Sequence, residues 1–222
     1  MSMKSEIYQD INENCDIILN LLKSFEAEND TPEGRMIYQC RWLKEQVEAN
    51  SLSLPTQDYI HTLRYVLAEQ LLHHLASSEE NYQKEIGVYL YRLAKSIKNK
   101  LLLKLEYYPY ALRIIDALVF LLNNASRELD KYEKGLIGEL ERLQYLLTSG
   151  EIEPPLMSYM PDYPNFIEVE GIQRITIDDL PDGKVLYRTV ANLIFEGIRP
   201  DSWLTPEDAD RETKKYTTDF DD

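Results

Sequence analysis

Proline divides this chain before any other feature does. Pro32, Pro55 and Pro109 are the only prolines in the first 150 residues, whereas the remaining 72 contain seven. Proline removes a backbone donor and clashes with the preceding helical turn, so it is tolerated at the start of a helix and not inside one. The first part can therefore hold long helices punctuated by single prolines, and the last part cannot. The break gives two expected regions, a helical domain over 1–150 and an appendage over 151–222.

Apolar residues in the first part recur at helical spacing. Ile7, Ile11, Ile18, Leu22 and Phe25 form one stripe of a helix over 4–27. Thr31-Pro32-Glu33 reads as an N-cap, a proline at the first helical position and an acid at the positive end. The helix it opens runs to about residue 49 with Met36, Cys40, Leu43 and Val47 inward. A third helix follows Thr56, with Ile60, Leu63, Leu67, Leu71 and Leu75. A fourth opens at Ser77 or Ser78 and carries Tyr82, Ile86, Tyr89, Leu93, Ile97 and Leu101. Pro109 opens a fifth, apolar on more than one side through Leu122. The sixth takes Leu129, Leu136, Leu140, Leu143 and Leu147 and stops at Gly150, a residue suited to the left-handed turn after a helix. The expected fold is mainly α: an antiparallel bundle or stacked helical hairpins of about six helices.

Beyond residue 150 the pattern changes. Residues 151–164 are a connector rich in Pro and Tyr. Alternation around Gly171, over 166–177, predicts a short β-hairpin. A helix is expected over 184–196. Thr205-Pro206-Glu207-Asp208 has the chemistry of another helix start, and 217–222 read as an acidic tail. The appendage is thus expected to be small and α+β.

Net charge is −15, and residues 151–222 contribute −10 of it from 17 acids and 7 bases. Such a surface repels nucleic-acid phosphates and favours a basic protein partner. The opening residues lack the apolar core of a signal peptide, and the longest apolar run, 117–122, is too short to span a bilayer. Cys15 and Cys40 sit in no metal-binding spacing, so a reduced, cytoplasmic protein without membrane contact is expected.

Known catalytic patterns fit poorly. His61, His73 and His74 lie on one expected helix, with His61 and His73 pointing about 120° apart. Glu69 and His73 share a face, a spacing that a surface ion pair satisfies as well as a metal does. The pairs Glu13/Asp16 and Glu45/Glu48 resemble the carboxylate pairs with which all-helical nucleotide pyrophosphohydrolases hold magnesium, but in reversed order. A magnesium-dependent helical hydrolase on those four residues is one alternative. No arginine stands four to six residues before a histidine, as helical ribonucleases of that motif require, and no Gly-rich phosphate loop occurs. No cofactor is expected.

The acidic third supplies the interaction candidates. Asp178, Asp179 and Asp182 cluster at a turn; Glu207, Asp208, Asp210 and Glu212 crowd one short helix; Asp221 flanks Phe220; and Trp203 stands beside the acidic helix. An aromatic anchor ringed by carboxylates suits a basic surface, although Trp203 can equally pack the appendage down. The expectation is a non-enzymatic binding or inhibitory protein, in the manner of an immunity protein or antitoxin-like inhibitor. A helical adaptor subunit is the other alternative. The basic series Lys84, Arg92, Lys95, Lys98, Lys100 and Lys104 reads as a solvated helix face.

Overall fold

A computed structural model describes residues 2–25, 31–56, 81–156, 162–166, 180 and 182–216. Among these residues the chain is 69% helix and contains no strand. No helix among them is long and apolar enough to cross a membrane. The third expected helix, the hairpin beyond Phe166 and the acidic tail lie outside the described residues. Phe166 itself is helical, with residues 164 and 165, rather than extended.

Packing divides the chain into two units, Met1–Leu102 and Leu103–Asp222. The division does not coincide with the compositional break at 150, which falls inside the second unit.

In the first unit, α1 (Met3–Leu21) packs against both α2 (Pro32–Glu48) and α3 (Asn81–Ile97). The stripe Ile7, Ile11, Cys15, Ile18 and Leu22 meets Met36, Cys40 and Leu43 of α2 and Ile86, Leu90 and Leu93 of α3 in one buried core. The Thr31 side chain caps α2 by accepting from Gly34 N at 3.0 Å, with Pro32 at the first helical position. Two helices here end on asparagine. Asn50 and Asn99 adopt φ of 52° and 63°, the left-handed region that asparagine tolerates better than most residues. At Asn99 its own N–H reaches the Ser96 carbonyl at 2.9 Å, and Lys100 N–H reaches the Lys95 carbonyl at 3.1 Å. That is the paired closure of a Schellman stop. The expected fourth helix therefore ends at Ile97, short of Leu101, which is still buried. The basic series is not one helix face: Lys84, Arg92 and Lys95 belong to α3, Lys98 and Lys100 follow its end, and Lys104 belongs to the second unit.

The second unit is built around α4 (Tyr108–Asn123), which follows a 3-10 turn (Leu105–Tyr107). Being apolar on more than one side, α4 can take partners on several faces. It packs against α5 (Lys131–Ser149), α6 (Gly183–Val190) and α7 (Pro206–Lys214). The chain continues from α6 into a π-helical turn, Ala191–Phe195, whose Leu193, Ile194 and Phe195 are buried. The helix expected over 184–196 is thus present, with its last turn widened.

The sixth expected helix starts later than the leucine pattern suggests. Asp130 caps α5 in a capping box with Glu133, leaving Leu129 outside the helix. Glu133 has no exposed surface; Arg127 reaches its two carboxylate oxygens at 2.8 and 2.7 Å, and Asp130 N–H donates to it at 2.9 Å. Gly150 ends α5 with φ 72°, as expected. Gly197, at φ 61°, turns the chain out of the π turn, and a Cβ there would meet Pro155 at 2.9 Å.

Candidate interaction site

The short acidic helix forms as its start predicts. Thr205 caps α7: its Oγ1 accepts from Asp208 N–H at 3.2 Å, and Asp208 Oδ2 accepts from Thr205 N–H at 3.2 Å. Pro206 takes the first helical position. Acids in the first turn and Arg211 and Lys214 in the last match the helix dipole.

The carboxylates of this helix are largely used within the chain. Asp208 pairs with Arg211 at 2.5 Å. Asp210 pairs with Arg113 of α4 and with Lys214, both at 2.6 Å. Glu212 Oε2 accepts from Ser202 Oγ and from the Trp203 indole N–H, each at 2.7 Å. Arg211 holds the Asp208 carboxyl below its usual range, and Lys214, then Arg113, does the same for Asp210. A carboxylate depressed in the folded state contributes stability above its unfolded pKa and loses it as pH falls through the folded value. Thermal melts at low salt between about pH 6 and pH 3 should therefore fall more steeply for the wild type than for Asp210→Asn, and salt should narrow the gap.

Trp203 is buried to 1% exposure. Its ring lies parallel to Tyr107, at 14° with centroids 6.3 Å apart, and edge-on to Tyr110. On Tyr107 sits the guanidinium of Arg199, 4.2 Å from the ring centroid, and the same Arg199 donates to the Trp203 carbonyl. The Tyr107 hydroxyl donates to the Leu204 carbonyl at 3.2 Å. The indole N–H, the Tyr107 hydroxyl and the Arg199 guanidinium each have a partner inside the second unit, so Trp203 packs the loop and α7 onto α4 rather than projecting outward.

A cleft of about 210 Å³ opens beside it. Ile114, Val185, Pro200, Trp203 and Tyr216 supply apolar walls, and Thr189, Ser202, Glu212, Thr213 and Lys215 supply polar ones. Val185 stands 52% exposed, and Leu204, next to Trp203, 40%. Asp182 is exposed just before α6, Glu207 is exposed in the first turn of α7, and Asp201 is exposed between two wall residues, Pro200 and Ser202.

Of the ten interaction candidates, Trp203 and Glu212 line this cleft. Asp208 and Asp210 brace α7, and Asp182 and Glu207 are exposed on neighbouring segments. Asp178, Asp179, Phe220 and Asp221 lie outside the described residues, as do His61, His73, His74 and Glu69. The i,i+3 and i,i+4 partners Arg211 and Lys214 were open to sequence reading by spacing alone. Arg113, Tyr107 and Arg199 were not, because nothing local ties them to α7.

The four carboxylates of the hydrolase alternative are otherwise engaged in part. Asp16 pairs with Lys44, and Glu13 accepts from Gln9 at 2.7 Å. Among the described residues no group of three or more His, Cys, Asp or Glu side chains is placed to hold a metal. The chain matches no family model, no curated protein and no solved structure.

Proposed function

We propose that this chain is a non-enzymatic binding protein for a basic protein partner, acting as an immunity protein, antitoxin-like inhibitor or regulatory inhibitor does. The observation that carries this is where the charge lies relative to packing. The second unit holds 24 acids and 13 bases, a net −11 of the chain's −15. The described residues of this unit alone hold 17 acids and 12 bases, a net −5, so the acidity is not that of a tail alone. In this reading the internally paired Asp208, Asp210 and Glu212 shape the site, while the exposed Asp182, Asp201 and Glu207 meet the partner's cations. Val185 and Leu204 supply the apolar contact beside them. Opposite-charge steering of this kind raises the association rate and weakens as salt rises.

The test starts with the full chain as bait in a lysate of its native host, at about 0.05 M and about 0.5 M salt. A retained protein is then purified and titrated directly. The reading expects a protein of high pI whose affinity drops with salt. A partner of neutral or acidic pI, or an affinity indifferent to salt, contradicts it.

A helical adaptor is the second reading, favoured by large apolar side chains left at the surface of the second unit: Leu105 at 75%, Tyr145 at 65% and Phe120 at 40% exposure. An adaptor's complex would be insensitive to salt and would weaken on Tyr145→Ser or Phe120→Ser.

A further inference from the structure

The first unit holds two thiols across one helix interface. Cys15 of α1 and Cys40 of α2 are both free, both without exposed surface, and both in the same core. They are the only cysteines in the chain. The register of the two helices is tied beside them by the Asp16–Lys44 ion pair, one residue beyond Cys15 and one turn beyond Cys40. The neighbouring Cys40 thiol, together with burial, raises the Cys15 pKa well above its ordinary value.

We propose that Cys15 and Cys40 are a redox pair that hydrogen peroxide converts into an intramolecular disulfide clipping α1 to α2. One sulfur, as thiolate, attacks a peroxide oxygen. The O–O bond breaks, a sulfenic acid forms and, with the thiol's proton, one water leaves. The second sulfur then displaces the sulfenic hydroxyl as a second water and forms the S–S bond. Two thiols and one peroxide give one disulfide and two waters; sulfur is oxidised and peroxide oxygen reduced. Bond formation requires the sulfurs to come within about 2 Å, so α1 and α2 adjust locally as the bond closes. Thiolate is the reactive form, and burial suppresses it, so the rate follows transient openings of α1 against α2. The pair is a slow lock, and its closure restricts the unfolded first unit.

The experiment treats the folded full chain with hydrogen peroxide, then unfolds and alkylates it for intact-mass measurement. The expected product is a monomer lighter by two hydrogens, with neither cysteine alkylated and a raised melting temperature. Dithiothreitol should restore both thiols and the original melting temperature. Three results would overturn the proposal. The first is full alkylation after an exposure that oxidises the urea-unfolded chain. The second is sulfinic acids or disulfide-linked dimers in place of the monomer product. The third is the same reversible rise in Cys15→Ser or Cys40→Ser, each of which retains a single thiol.

Discussion

Replacing Trp203 by alanine should destabilise the second unit by about 3–5 kcal/mol, the cost of truncating a buried large aromatic. The loss falls on several partners together: the parallel Tyr107 ring, the edge-on Tyr110 and the indole bond to Glu212. Trp203→Phe should cost less, because a ring still fills the site and only the Glu212 bond is lost. The readout is direct, since each unit carries one of the chain's two tryptophans, Trp42 and Trp203. In a Trp42→Phe background, Trp203 fluorescence during denaturant unfolding reports the second unit; circular dichroism follows the Trp203 variants. A cost under about 1 kcal/mol for Trp203→Ala would mean that the indole is a surface anchor after all.

Arg127→Ala should cost about 3–5 kcal/mol, because it strands the fully buried Glu133 carboxylate without its counterion. The pair replaced together, Arg127→Met with Glu133→Leu, should be less damaging than Arg127→Ala alone. Burying two charges costs desolvation that their attraction only offsets, whereas burying one leaves that cost uncompensated. The double variant still gives up the bond from Glu133 to the Asp130 N–H, so some loss at the start of α5 remains. Equilibrium denaturation of the three proteins checks the order; a double variant worse than the single one would overturn it.

Much of the helical architecture could be read from residue order because local chemistry carries it. The α1 stripe, the Thr31-Pro32 start of α2, the Thr205–Asp208 box of α7 and the Gly150 stop each depend on residues within four positions of one another. The errors have the same origin. Leu129 and Leu101 fit helical stripes, but Asp130 and Asn99 set the real ends through backbone bonds that an apolar pattern does not contain. The proline break at 150 marks where backbone donors become scarce, whereas the packing division at 102/103 follows from α4. That helix buries faces against α5 on one hand and α6 and α7 on the other, so it holds sequence from both sides of the break in one core. The acidic helix was legible as acidic and not as paired. Asp210 meets Arg113 across 97 positions, and no short-range rule announces such a contact. Trp203, Asp208, Asp210 and Glu212 thus have partners within the second unit, and of the described interaction candidates Asp182 and Glu207 are exposed.

The most direct measurement is titration of the recovered partner against the wild-type chain and against the triple variant Asp182→Asn, Asp201→Asn, Glu207→Gln, at low and high salt. Each of these carboxylates is exposed, so the variant should fold as the wild type does. Its affinity at low salt should fall roughly 3- to 30-fold, mainly through slower association, and its dependence on salt should flatten. A basic partner that binds wild type and triple variant equally, with the same salt dependence, would contradict a role for this surface in recognition.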